Sequence, residues 1–265
     1  YATDPVDGDQ FEQFDDRNIY GGAFTWTLPT DLLGESGTLE LGADLRYDDI
    51  GTVGLYQTAD RERVSTTRED AVEQLGYAAF AALDTRWTGW LRTDLGLRAD
   101  RYEFDVDSNI AANSGSESDS IVSPKLSVVL GPWRETEFFA NVGKGYHSND
   151  ARGTTITVDP VDGVTPVAQV DPLVDANGAE VGLRTAILPR TQFSIALWQL
   201  RLDSELLFVG DAGITEPNRK SKRDGVEFSA IYTPLEWLVL DLDLAWTKAR
   251  FDEYDPAGDR IPGAV

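Results

Sequence analysis

Leu39-Glu40-Leu41-Gly42-Ala43-Asp44-Leu45-Arg46-Tyr47-Asp48 puts an apolar side chain at every odd position and a charge or a glycine at every even one. Successive Cβ atoms of an extended chain point to opposite faces. The stretch therefore reads as a strand with one oily side and one charged side. The pattern returns at Leu91, Thr93, Leu95, Leu97 and Ala99 against Arg92, Asp94, Arg98 and Asp100, and again at Leu238, Leu240, Leu242, Leu244 and Trp246 against Asp241, Asp243, Ala245 and Thr247. No stretch sustains a helical period, and period 2 recurs throughout.

Working outward, the alternation predicts ten strands near 16–28, 37–50, 70–85, 89–105, 120–131, 134–147, 178–188, 191–203, 222–233 and 237–251. The eighth alternates poorly: Phe193, Ile195 and Leu197 share one face while Trp198, Leu200 and Leu202 share the other. A β-bulge is expected there. The connections sort by parity. Those at Pro29–Ser36, Thr85–Gly89, Gly131–Trp133, Leu188–Arg190 and Thr233–Glu236 are short. Those near 51–69, 106–119, 148–177 and 204–221 are long and rich in Gly, Ser, Asn and Asp. Short turns at one end and long loops at the other characterise outer-membrane barrels. Trp26, Trp87, Trp90, Trp133 and Trp237 sit at or beside the short connections, as an interfacial girdle requires. Tyr47, Tyr102, Phe104, Tyr146, Trp246 and Phe251 are expected to form the second girdle. A soluble β-sandwich also alternates, but its strands average about 5–6 residues and its turns have no reason to sort by parity.

The fold class is thus all-β: an antiparallel transmembrane β-barrel segment of about ten long strands. Closure of ten strands on themselves is not expected. Small barrels fill their interior with side chains, whereas here the inward face carries Glu40, Asp44, Arg46, Arg92, Asp94, Arg98, Asp100, Asp241 and Asp243, with gaps at Gly42, Gly96 and Gly182. An open curved sheet belonging to a wider barrel fits better.

Composition narrows the function. The 265 residues carry a formal charge of −23, which repels nucleic acid phosphates and sets nucleic acid aside as a partner. There is no Cys and no Met, so no disulfide, thiolate metal site or Cys nucleophile is available. His147 is the only histidine, which leaves no multi-His metal site and no His-paired haem; neither a metal centre nor a cofactor is expected. A triad of His147, Ser148 and Asp150 fails because neighbouring residues on an extended chain point apart, so no residue is assigned a catalytic role.

Gly143-Lys144-Gly145-Tyr146-His147-Ser148-Asn149-Asp150-Ala151-Arg152-Gly153 resembles a motif of one subgroup of TonB-dependent receptors. Ser123-Pro124-Lys125-Leu126-Ser127, Asp171-Pro172-Leu173, Gly178-Ala179-Glu180-Val181-Gly182-Leu183-Arg184, Leu197-Trp198, Asp203-Ser204-Glu205-Leu206 and Gly225-Val226-Glu227 resemble further phrases of that family in the same order, with Asp171 in place of the usual Asn. The resemblance implies a 22-stranded barrel plugged by an N-terminal domain. It implies import of a scarce ligand such as a ferric siderophore, energised by TonB and its inner-membrane complex. Residues 1–265 are then expected to be a partial barrel, with the plug and both barrel ends outside the chain. The rival readings are a passive porin and a structural or adhesive barrel.

Two groups of candidate site residues follow. His147, Asn149, Asp150 and Arg152 stand at the root of a long loop, where they would either fix the loop by side-chain hydrogen bonds or contact ligand. Arg219, Lys220, Lys222 and Arg223 form a basic stretch in an acidic chain, suited to lipopolysaccharide phosphates or an anionic ligand.

Overall fold

The computed structural model describes residues 10–209, 214–217, 219–252 and 258–261. Twelve strands are present among them: β1 (Gln10–Leu32), β2 (Glu35–Ala59), β3 (Glu62–Thr88), β4 (Leu91–Ser108), β5 (Gly115–Trp133), β6 (Thr136–Ser148), β7 (Leu173–Thr185), β8 (Thr191–Leu202), β9 (Leu206–Val209), β10 (Ile214–Pro217), β11 (Ser221–Leu235) and β12 (Leu238–Phe251). Ten of them form one antiparallel sheet in the order β1-β2-β3-β4-β5-β6-β7-β8-β11-β12, and β9 pairs only with β10 in a small hairpin. The outermost strands β1 and β12 do not pair with each other, so the sheet is open.

The ladder carries the alternation of each strand across the whole wall. One row of paired positions runs Leu28, Leu39, Leu83, Leu95, Leu126, Val142 and Ala179. Another runs Phe138, Leu183, Ile195, Phe228 and Leu244. These rows belong to one face, and its large side chains are exposed: Leu45, Leu95, Leu97, Val142, Val181, Leu197, Leu242 and Leu244 all lie open. A broad exposed apolar surface of this kind needs an apolar medium to cover it. It is the lipid-facing side.

The opposite face is polar, and its charges meet across strands. Arg98 joins Asp44 of β2 and, at 2.9 Å, Asp100 of its own strand. Lys125 reaches Asp94 at 3.3 Å, and Glu137 receives both Arg92 at 3.0 Å and Arg184 at 2.6 Å. The glycines of this face are not gaps. A Cβ at Gly42 would collide with the Phe80 ring, one at Gly182 with the Phe139 ring, one at Gly96 with the Lys125 stem and one at Gly225 with the Trp198 indole. A large group on one strand lies flat over a glycine on the next. This also explains the eighth strand. β8 pairs with β7 and β11 without a register shift, so no bulge is present. Trp198 and Leu200 simply face inward, opposite Gly225 and Gly178.

The turns follow the expected parity at the short end, at Leu33–Gly34, Gly89–Trp90, Arg134–Glu135, 186–190 and Glu236–Trp237. Trp90 and Trp133 stack there with ring centroids 6.3 Å apart, and Trp87 donates to the Thr93 hydroxyl at 2.8 Å. The far end departs from expectation. Residues 51–69 are not a long loop: β2 and β3 continue to a two-residue turn at Asp60–Arg61, both with positive φ (51° and 71°), the backbone hand that fits a twisted hairpin. β2 alone has 25 residues, about 80 Å of strand, where crossing a bilayer takes about 9–11 residues. The hairpin therefore projects well beyond the membrane. Likewise 106–119 contracts to residues 109–114 around a 3₁₀ turn at Ala111–Asn113, and β7 begins at Leu173.

The second girdle needs a matching correction. Phe104 is only 2% exposed and packs with Ile50, Val72, Val106 and Ala151. Tyr102 stacks on Phe104 and meets Tyr146 edge-on, both at 6.0 Å. Phe251 is buried as well. Tyr47, stacked on Tyr20 at 6.4 Å, and exposed Trp246 keep the outward position.

Two outcomes are expected in the folded barrel. Leu95→Arg should cost about 2–4 kcal/mol of folding stability if it stands near mid-membrane, measured by denaturant titration in lipid vesicles; an unchanged midpoint would refute the lipid-face assignment. Gly225→Val should destabilise by about 1–3 kcal/mol through overpacking against Trp198. Adding Trp198→Ala should recover part of that loss in a double-mutant cycle, and strict additivity would show that the two do not touch.

Candidate ligand-binding site

The motif after β6 builds a lid. Asp150 caps a single helical turn, α1 (Ala151–Thr155), its carboxylate accepting from the Arg152 amide at 2.9 Å and from the Arg152 guanidinium at 2.6 Å. Asn149 donates its side-chain amide to the Asp171 carbonyl at 2.5 Å, and its backbone N–H to the Pro172 carbonyl at 2.9 Å. The two ends of the loop are thereby tied together at its root. The helical turn does not stand out into water. It folds over the polar face, where Ala151 enters the cluster of Ile50, Val72, Phe104 and Val106 from β2, β3 and β4.

Polar groups of strands far away in sequence receive it. Arg68 and Asp70 of β3 form an ion pair with side chains 1% and 0% exposed, and Arg68 also donates to the Arg152 carbonyl at 3.2 Å. Asn113 works like a clasp. Its Oδ1 accepts from the amides of Thr157 and Val158, each at 2.9 Å, and its Nδ2 donates to the Val158 carbonyl at 3.0 Å. Its own carbonyl accepts from the Thr155 hydroxyl at 2.9 Å. Further along, Asp162 closes a tight turn by accepting from the amides of Val164 (2.9 Å) and Thr165 (2.8 Å). The Thr165 hydroxyl, which also donates to this carboxylate, and then the two amides hold it below the usual range. Burial pushes the Asp150 carboxyl up, but the hydrogen bonds and charge of Arg152 outweigh it and hold the group below its ordinary value.

The candidate residues thus divide. Asn149, Asp150 and Arg152 come together with Asp171 at the loop root. His147 pairs with Val174 in the β6–β7 ladder, and its Nε2 is buried without a hydrogen-bond partner, as is the Asn149 Oδ1. The basic stretch is not a free patch. Lys220 pairs with Asp203 (3.4 Å), Lys222 with Asp224 (3.4 Å) and Arg223 with Glu205 (2.8 Å), while Arg219 lies over the Phe251 ring at 4.0 Å. Arg68 and Asn113 carried no sign of their role in sequence, since they fall in stretches that read as solvated loop, and Asp70 read only as the first residue of the strand near 70–85. Among the described residues no group of three or more His, Asp or Glu is placed to hold a metal ion.

Asn113→Ala should release the lid without melting the wall. The loss of several buried bonds is worth about 1–3 kcal/mol, read as roughly 5–150-fold faster hydrogen exchange at Thr157 and Val158 with an unchanged barrel melting temperature. Equal exchange in both proteins would mean the clasp holds nothing. For Asp150 the sign is fixed by its lowered pKa: its contribution is present at neutral pH and is lost only as pH falls below about 4. The protection of the same amides, taken relative to their intrinsic exchange rate at each pH, should therefore hold from pH 7 down to that range and fall below it.

Several solved structures share this fold at low identity. The ferripyoverdine receptor of the outer membrane of Pseudomonas aeruginosa, bound to ferripyoverdine, superposes with a TM-score of 0.73 at 11% identity over 95% of this chain and 35% of its own. The ferric-catecholate import receptor Fiu of E. coli K12 gives 0.68 at 13% identity over 91% and 39%. The copper transporter OprC gives 0.70 at 17% identity over 91% and 38%. The chain thus spans well under half the length of these proteins. No curated protein sequence matches it. The family model for the TonB dependent receptor-like β-barrel matches residues 1–264. With its open ten-stranded sheet, lipid-facing apolar side and polar inner face, this chain belongs to the TonB-dependent receptor β-barrel family of the Gram-negative outer membrane.

Proposed function

We infer that the receptor containing this chain imports a scarce ligand, with a ferric siderophore as the class, using energy delivered by TonB and the inner-membrane complex. The observation that carries this reading is the match of the receptor barrel family along residues 1–264. It is supported by a polar inner face lined with paired charges and by a lid folded across that face. On this reading residues 1–265 are the middle of a barrel of about 22 strands, the plug and the remaining strands coming from sequence outside the chain. Outer-membrane lipid covers the apolar side. Arg219, Lys220, Lys222 and Arg223, exchanging their partners within the loops, are the groups through which the outer loops would meet lipopolysaccharide phosphates.

Ligand contact is assigned to the loop root at His147, Asn149, Asp150 and Arg152. His147 Nε2 and Asn149 Oδ1 hold unused hydrogen-bonding capacity there, and a bound ligand reaching them would satisfy it. No residue is assigned a catalytic role.

The test is uptake of radiolabelled ferric siderophores, one chemical class at a time, under iron limitation. Uptake of one class should fall to background in a strain lacking the receptor, and equally in a strain lacking TonB. Uptake that persists without TonB would favour a passive porin. No iron-linked phenotype across all classes would remove the siderophore from the proposal.

A further inference from the structure

Backbone pairing between β5 and β6 stops at Lys125–Gly143. Past that point β5 runs on through Pro124 to Gly115 bonded only to β4, and β6 runs on to Ser148 bonded only to β7. The wall splits into two free edges facing each other.

The direction of the free groups is fixed by two bonds. In an antiparallel sheet a residue's N–H and C=O leave on the same side, and successive residues alternate. The Gly131 amide donates to the Trp90 carbonyl at 2.8 Å, so the odd residues of β5 face the β4 side. The Ser120 amide instead turns to its own neighbour, donating to Asp119 Oδ1 at 2.7 Å. Ser116, Ser118, Ser120 and Val122 therefore present N–H and C=O to the split. Pro124 has the same parity and no N–H, and the ladder ends beside it. Such an edge could not exist in lipid. Here the outward side chains change from Leu126, through Pro124 and Val122 at the boundary, to Ser120, Ser118 and Ser116 along the same strand, so the free edge lies at and beyond the membrane boundary, in water.

An exposed edge is a template for another strand unless it is short, bulged or blocked. The segment from Gly115 to Ser123 has no proline and no register shift against β4. Its surroundings are acidic. A cavity of about 480 Å³ beside it is lined by Asp119, Ser120, Val122, Lys144, Asp171 and Asp175 among others. Lys144 is taken by Asp175 at 2.9 Å, whereas Glu117, Asp119 and Asp171 have no cationic partner among the described residues. A second copy of this chain, at −23, would be repelled.

We propose that the free edge of β5, Ser116 to Val122, is a docking site for an extended cationic polypeptide, which adds as a strand through its backbone while its basic side chains meet Glu117, Asp119 and Asp171. Strand addition gives affinity through main-chain bonds, and the flanking charges give selectivity.

The experiment uses the full-length receptor in nanodiscs and a short peptide alternating Lys and Val. Hydrogen exchange at Ser116, Ser118 and Val122 should slow by about tenfold or more when the peptide is bound. A peptide alternating Glu and Val, and a Lys-Val peptide with N-methylated backbone, should give no protection. Ser118→Pro removes an amide that faces the split and keeps the backbone bonds to β4, losing besides only the exposed Arg101–Ser118 hydroxyl bond (3.1 Å), and should weaken peptide binding about tenfold with the melting temperature nearly unchanged. If that variant does not fold, Glu117→Gln with Asp119→Asn should weaken binding by a similar factor. Absence of protection, equal protection by the acidic peptide, or protection by the N-methylated peptide would each overturn the proposal, the last by showing attraction of charge without strand addition.

Discussion

Inside a bilayer no water is available to a backbone N–H or C=O, so every such group within the hydrocarbon layer must find a partner in the chain. This constraint governs the protein from β1 to β12. It makes neighbouring strands pair in simple sequence order, since each hairpin satisfies its own edges before the next is added. It also explains why the sheet is regular where its outer side is apolar and irregular where that side turns polar. From Pro124 outward the wall is free to split, β2 and β3 are free to run on as a hairpin, and the connections are free to fold back.

With the backbone satisfied by the ladder, side chains decide the two faces. The outer face needs no close packing, because lipid fills the space around Leu95 or Leu244. The inner face has to build its own order. Large groups laid over glycines, as Trp198 over Gly225 and Phe80 over Gly42, lock neighbouring strands in register, because a one-residue slip would drive a ring into a side chain. The ion pairs on this face are partly exposed, and each is worth little on its own. Glu137 with Arg92 and Arg184 gains geometry more than energy: three strands, β4, β6 and β7, are fixed to one carboxylate.

The lid obeys a different logic. Arg68 and Asp70 are fully buried, so their desolvation cancels much of their attraction, and the pair specifies more than it stabilises. Its position under the Arg152 carbonyl makes the loop settle in one place. The Asn113 clasp does the same with neutral groups. A loop built this way has a defined closed state held by few contacts, and the apolar contribution to it is the small cluster around Phe104 and Ala151.

The sequence by itself determined the fold class, ten of the strands, the side that meets lipid and the end that carries the short turns. It could do so because lipid selects apolar residues at every second position, and because Trp90, Trp133 and their like mark the interface. It also placed Asn149, Asp150 and Arg152 at one loop root, since they are adjacent in the chain. It failed at 51–69 because a hairpin outside the membrane has no apolar side to repeat, and Asp60–Arg61 turns without a glycine to announce it. It misread Trp198 and Leu200 as a bulge because the glycines beneath them lie on other strands. Tertiary structure alone decided that Arg68 meets Arg152, that Asn113 holds Val158, and that β5 parts from β6 at Pro124. Each is settled by strand register and by where lipid gives way to water, and neither quantity is written in a local stretch of residues.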